Sequence, residues 1–473
     1  MTPATPGEPA PPPAGPATAP AGETAGSAKA GSAKAGSASG TAAGEKAATA
    51  GETAGSATAG SAAAAAAATA VETADSASEK AASERAGGET AEPARQRDPY
   101  VDFLRAFSLL IVVLWHWAFT ILEWGPDGPH ATSPLGFTRG LWLATWLLQV
   151  MPLFFFVGGF VHLITWDAAQ KRGVRIGQFV WRRMRQLLVP AGTVLIVWIA
   201  LGSLIGTYFN LQGYGQVVKL IVSPLWFLGV YLGLIMLLPI SLWLHRKAGV
   251  LVLVWLGGGA MLVDVLRFHD GLVDLAWLNM VLVWGLCHQA GFFYQRMVDA
   301  PRHNDWAFLW TGLFGLVGLV GSGLYPGSMV GVPGERFSNV GPPTFIVVAL
   351  LLFQIGVVEL LRPRMQVLLE RRRWKRANTL INDFALPLYL VHTTGMALFL
   401  FLVWLTFGLE MQERANVDAG WWLTRPLAII GPLVCTIPVL WLFRWLQRRG
   451  PWRRRGQPSA VKHGKESETA IAS

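Results

Sequence analysis

Residues 101–123 read VDFLRAFSLLIVVLWHWAFTILE. The run from Phe103 onward is apolar for close to the ~20 residues that a helix needs to cross a bilayer, yet it is interrupted by Arg105 and His116 and bounded by Asp102 and Glu123. An ionisable group inside a membrane segment costs several kcal/mol on a rough scale, so it marks a site rather than filler. At 3.6 residues per turn, the eleven-residue step from Arg105 to His116 is nearly a whole number of turns. It puts both side chains on one stripe, ~16 Å apart along the axis. Glu123, seven residues on, extends that stripe toward the far surface. Asp102 stands three residues before Arg105, the spacing at which opposite charges meet on a helix. It lies ~21 Å of helix rise from His116, too far for a Ser-His-Asp-like relay within this segment.

The rest of the chain repeats the pattern of the first segment. With 52% hydrophobic and 14% charged residues and a mean hydropathy of +0.40, 473 residues are too apolar for a water-soluble fold. Apolar segments of spanning length recur at about 103–124, 140–165, 188–208, 225–244, 249–268, 276–295, 306–325, 344–361, 384–408 and 425–446. The fold class expected is therefore all-α, a polytopic transmembrane bundle of about ten helices. Basic segments (Arg95 and Arg97, 171–185, 245–247, 296–302, 362–376, 444–455) alternate with basic-poor loops. The Lys/Arg bias of cytoplasmic loops then places both termini inside a cytoplasmic membrane. The same bias accounts for the net charge of +10 without nucleic acid as a partner. Residues 1–94 are Ala, Gly, Ser, Thr, Pro and Glu in near-repeats with no periodic apolar face, expected to be a disordered tail and not a signal peptide. The membrane domain is expected over 95–447, followed by a basic and then polar cytoplasmic tail over 448–473. Cys287 and Cys435 lie inside apolar stretches, with neither a disulfide framework nor metal-ligand spacing, so no metal is expected.

Asp102, Arg105 and His116 at these spacings resemble the first-helix pattern of the acyltransferase family 3 membrane proteins. Other pieces follow in that family's order: Phe156-Val157-Gly158-Gly159-Phe160, Arg182-Arg183-Met184-Arg185, Trp226-Phe227-Leu228 and Leu388-Tyr389-Leu390-Val391-His392. The resemblance covers about 98–447 and suggests an actinobacterial-type member without an appended extracellular hydrolase-like domain. One departure stands out: Gly158 occupies a place where the family usually has Ser, which removes a hydroxyl but leaves small residues for close helix packing.

The resemblance implies an O-acyltransferase that moves an acyl group, expected to be acetyl, from cytoplasmic acyl-CoA to a hydroxyl. Coenzyme A thioester is then a co-substrate, with no tightly bound cofactor. His116 would be the general base, a role suited to an imidazole with a pKa near neutrality, with Arg105 and Asp102 completing the first-helix site. Arg182 and Arg185, three apart, would share a helical face and offer forked donors to the donor's phosphates, and any cytoplasmic loop also tends to be basic. Trp226 is read either as part of the donor site or as an interfacial anchor. Tyr389 and His392 are either further contacts to the cavity, with Glu123, or interhelical hydrogen bonds. His162, His288, Glu359 and the pair Asp264 and Arg267 are read as packing or snorkelling groups. No Gly-x-Ser-x-Gly elbow is present and neither cysteine has a basic neighbour in sequence, so direct transfer is expected rather than a covalent acyl-enzyme. The acceptor classes implied are carbohydrates, glycolipids and secondary metabolites, with 326–343 as an outer lid. A transporter or flippase would also bury Arg and His, but the inverted repeats common in such folds are not visible.

Overall fold

The computed structural model describes residues 98–449, apart from 126–127, 137, 139, 210–217, 219–220, 332–336 and 408–418. The expected tails at 1–94 and beyond 449 lie outside the described residues. The first helix, α1 (Pro99–Phe119), starts where local chemistry says it should. The Asp98 side chain accepts from the Tyr100 backbone N–H, and Pro99 stands at the first helical position, where its missing N–H costs nothing. The helix stops at Phe119, short of the expected end at 124. Ile121–Gly125 and Gly128–Thr132 form an antiparallel hairpin, β1 and β2, in which Glu123 pairs with His130. Glu123 is therefore on a strand and does not continue the α1 stripe. The Gly125-Pro-Asp-Gly128 sequence supplies turn residues that helical periodicity does not register.

Ten further helices follow: α2 (Ala144–Leu148), α3 (Met151–Lys171), α4 (Ile176–Phe209), α5 (Leu225–Ala248), α6 (Leu251–His269), α7 (Asn279–Gly291), α8 (Tyr294–Val298), α9 (His303–Gly321), α10 (Ile346–Glu370) and α11 (Arg372–Phe407). The last described helix is α12 (Ala419–Arg449). Among the described residues, eight helical segments are long and apolar enough to cross a membrane. The two expected spans that fall short are 276–295 and 306–325. The first is divided into a 3-10 turn at Val273–Leu278, the 13-residue α7 and the short α8. The second, α9, begins with His303, Asn304 and Asp305, which lower its apolar content. They are neighbours in sequence, so the count of spans stays even with or without them.

The centre of the bundle is α3. Every residue from Met151 to Phe160 is buried, as expected of a helix that is apolar all round. It packs against α1, α7 and α10, and its Phe154, Phe155 and Phe156 share one core with Leu104, Phe227, Trp284, Leu351 and Tyr389. Two glycines set the spacing of α3 and α7. A Cβ on Gly159 would stand 1.8 Å from the His288 carbonyl oxygen, and one on Gly291 would stand 1.9 Å from that of Phe156. The backbones touch because neither residue has a side chain. By contrast α4, α5, α6 and α12 leave large apolar residues such as Ile196, Met236, Leu262 and Leu427 exposed, the surface that lipid tails cover. Many exposed tryptophans, among them Trp181, Trp243, Trp277, Trp374 and Trp445, sit toward helix ends, where an indole can be half wet.

Candidate active site between α1 and α11

The first-helix stripe faces α11 at two levels. At the lower level an Arg105 Nη donates to Asn382 Oδ1 at 2.8 Å and lies 3.3 Å from Asp102 Oδ1. Asn382 in turn donates to the Asp102 carbonyl at 3.0 Å and to its own helix at Asn378. This fork holds the guanidinium by two partners while leaving about a third of it accessible. At the upper level the His116 and His392 rings meet edge to face, with centroids 5.0 Å apart. The levels match because both helices run the same way with nearly equal spacings, eleven residues from Arg105 to His116 and ten from Asn382 to His392.

Hydrogen bonding fixes the tautomer of both imidazoles. His116 Nδ1 is 2.7 Å from the Val112 carbonyl, and His392 Nδ1 is 2.6 Å from the Tyr389 carbonyl. A carbonyl can only accept, so Nδ1 carries the hydrogen in each ring and Nε2 of the neutral ring is a bare lone pair. His116 is half-buried. His392 is fully buried, and its Nε2 has no hydrogen-bond partner among the described residues. The α11 backbone around it is held by Trp117, which donates to the His392 carbonyl, by Tyr389, which donates to the Pro224 carbonyl, and by Thr393, which donates to that of Ile221.

Of the arginines before the third span, Arg182 and Arg185 are exposed. Arg183 is the one that turns inward. It is half-buried, its guanidinium lies 5.4 Å from the centre of the Phe179 ring, and it shares the electrostatic surroundings of Tyr231 with Arg105. Trp226 does not join these groups. It is 41% exposed in the first turn of α5, whereas Arg185 lies 24 residues, about 36 Å of helix rise, from the far end of the adjoining α4. The inward residue at that end of α5 is Phe227, packed on Phe154, Phe155 and Tyr389.

Several polar residues read from the sequence as packing groups have defined partners. His162 Nδ1 and His288 Nε2 are 2.9 Å apart, and Tyr231 Oη is 3.3 Å from His162 Nε2. The Asp264 carboxylate accepts from Asn279, from Tyr325 and from the Phe345 N–H, so its hydrogen bonds do not go to Arg267, which instead lies over the Phe337 ring. Asn339 donates to the carbonyls of Pro326 and Ser328 and accepts from Thr344. These bonds pin the base of the loop expected to act as a lid. Glu335 and Arg336, named with that loop, lie outside the described residues. Glu359 and Asp98 both bond Arg362. Asn382 and Tyr231 were missed in the sequence because neither belongs to a local motif, and Arg183, though inside the Arg182–Arg185 motif, was passed over because Arg182 and Arg185 are the pair spaced three apart. The ten-residue spacing of Asn382 and His392 was the one available signal.

The described helices form a membrane bundle in which Arg105 and His116 of α1 meet Asn382 and His392 of α11. The acyltransferase domain family model, acyltransferase family 3, matches residues 98–445. The chain belongs to this family and is a multi-pass membrane acyltransferase. Comparison with curated proteins and with solved structures gives no match.

Proposed function

We propose that this protein transfers an acetyl group from cytoplasmic acetyl-CoA to a hydroxyl of a carbohydrate, glycolipid or related acceptor, with His116 as the general base. The observation that carries the reading is the bond from His116 Nδ1 to the Val112 carbonyl, which leaves the Nε2 lone pair as the only group of this ring free to take a proton. The acceptor hydroxyl gives its proton to that nitrogen as its oxygen attacks the thioester carbonyl. His392, with its unpartnered Nε2 beside the same ring, offers an acceptor to a second hydroxyl of the acceptor molecule. Arg105, braced by Asn382 and Asp102, places positive charge on the donor side of the cavity. Exposed Arg182 and Arg185 draw in the phosphates of coenzyme A from the cytoplasm, and both termini face that side.

The test uses the full chain in lipid nanodiscs: binding and slow hydrolysis of radiolabelled acetyl-CoA by wild type, by His116→Ala and by Arg182→Ala with Arg185→Ala. The arginine variant should lose binding, and the histidine variant should bind without turning over. A wild type that neither binds nor cleaves acetyl-CoA would overturn the donor assignment and favour a transporter.

A further inference from the structure

The buried chain Tyr231–His162–His288 takes no part in the base step at His116, yet it is built from three titratable groups on three helices. Tyr231 comes from α5, His162 from α3 and His288 from α7, and both imidazoles are buried within the bundle. The phenol is half-buried and shares its electrostatic surroundings with two cations, Arg105 and Arg183. It fits there because position 158 has no side chain. A Cβ on Gly158 would stand 3.0 Å from Tyr231 Cε2 and 3.3 Å from its hydroxyl oxygen.

Its height in the bundle follows from its neighbours. Phe227 packs on Tyr389, which is three residues before His392 on α11. Tyr231 is four residues further along α5, so the phenol lies about 10 Å of helix rise from the level of His392. His116 leans toward it, because its ring folds back to bond Val112. The path from an imidazole nitrogen through an attacking oxygen, an acyl carbon and a sulfur to a phenol oxygen, bent at each atom and with a hydrogen bond at each end, spans about 7–8 Å, and the backward fold of the His116 ring shortens the axial gap to be bridged.

The hydrogen bonds of the chain can run either way, and an anion accepting from the Tyr231 hydroxyl selects the direction in which every proton points toward it. His288 Nε2–H then donates to His162 Nδ1, His162 Nε2–H donates to Tyr231, and the Tyr231 hydroxyl donates to the anion. We infer that Tyr231, oriented by His162 and His288, hydrogen-bonds the sulfur of the departing coenzyme A and gives it the proton with which it leaves as a thiol. The inference rests on acyl-CoA being the donor.

The carbon–sulfur bond breaks with its electron pair on sulfur as the new carbon–oxygen bond forms. Sulfur takes the phenolic proton. The phenolate, hydrogen-bonded by His162 Nε2–H, recovers a proton from water, while the proton taken from the acceptor leaves His116 to water. Protons and charge balance over the cycle. Tyr231 is thus a catalytic residue for the leaving group, and His162 and His288 are positioning residues.

The test needs no acceptor. Affinities for coenzyme A and for desulfo-coenzyme A, which lacks the sulfur, are measured on the full chain in nanodiscs. Wild type should prefer coenzyme A about tenfold, the worth of one hydrogen bond to a charged or readily ionised group. Tyr231→Phe should bring coenzyme A down to the desulfo affinity and leave the latter unchanged. His162→Ala should do the same, whereas His162→Gln, which keeps an N–H for the phenol, should retain the preference. A preference that survives in Tyr231→Phe, or equal behaviour of the two His162 variants, overturns the assignment of Tyr231 while leaving the donor reading intact. A wild type that binds neither ligand overturns the donor reading, and this assignment with it.

Discussion

Gly159→Ala is the smallest change that should disturb the whole centre of this bundle. The added methyl would begin 1.8 Å from the His288 carbonyl oxygen and 2.8 Å from its carbon, both backbone atoms that no rotamer change can move. Restoring ordinary contact means parting α3 and α7 by about 1.5 Å, in an interior packed as densely as an organic crystal. Overpacking of this kind costs about 1–3 kcal/mol even where side chains can yield, and backbone yields less. The better helix propensity of Ala returns up to about 1 kcal/mol. The net expectation is a loss of about 2 kcal/mol or more, together with stretching of the 2.9 Å His162–His288 bond, which spans the same two helices. Gly258→Ala in α6 is the control, because nothing among the described residues lies within 4 Å of its Cβ position, and it should be neutral or slightly stabilising. Both are compared by denaturant titration of purified protein in mixed micelles, with helicity as the signal. Equal stability of the two variants would refute the close-contact account of the α3–α7 interface.

Other outcomes follow from single contacts. Asn382→Leu removes the 2.8 Å partner of Arg105. A hydrogen bond to a charged group is worth about 1.5–3 kcal/mol, so kcat/KM for acetyl-CoA should fall roughly 10- to 100-fold, and unchanged initial rates would remove Asn382 from the site. Arg182→Ala with Arg185→Ala should weaken donor binding most at low ionic strength, because exposed charges are screened by salt. Arg183→Ala, inward beside Phe179, should lower turnover at every salt concentration, and an identical salt dependence for the two variants would erase the distinction. Asp264→Leu strands three donors, from Asn279, Tyr325 and Phe345. Each buried unsatisfied group costs about 1–3 kcal/mol, so it should destabilise strongly, while Asp264→Asn, which keeps an acceptor, should cost less. Thermal aggregation midpoints of the two proteins decide this.

The relation between spacing and structure is uneven along the chain. Asp102, Arg105 and His116 were legible because their relation lies within one helix, where 3.6-residue periodicity converts sequence distance directly into geometry. The spans were legible for a similar reason, since a bilayer demands length and apolarity whatever the neighbours are. The two that fell short, at 276–295 and 306–325, have the composition of membrane segments over most of their length, but Asn279, His288 and Gln289 are buried against other helices, and tertiary contacts divided that segment. Glu123 was misplaced because a hairpin of five residues per strand leaves only a weak trace beside a long apolar run. Gly158 carried a doubt about a missing hydroxyl. A hydroxyl is nevertheless beside it, 3.3 Å from where its Cβ would be, supplied from α5 by Tyr231.

The sequence by itself determined that this is a helical membrane protein, which side chains its first helix sets on one stripe, and the family to which it belongs. All of these rest on local periodicity, composition and motif. Only the tertiary structure decided what those side chains meet. Asn382 reaches Arg105 across 277 residues, His392 reaches His116 across 276, and Tyr231, His162 and His288 come together from three helices. Such pairings depend on the rotation and depth of whole helices. These are set by packing contacts such as Gly159 against His288, distributed over the chain and encoded in no single segment.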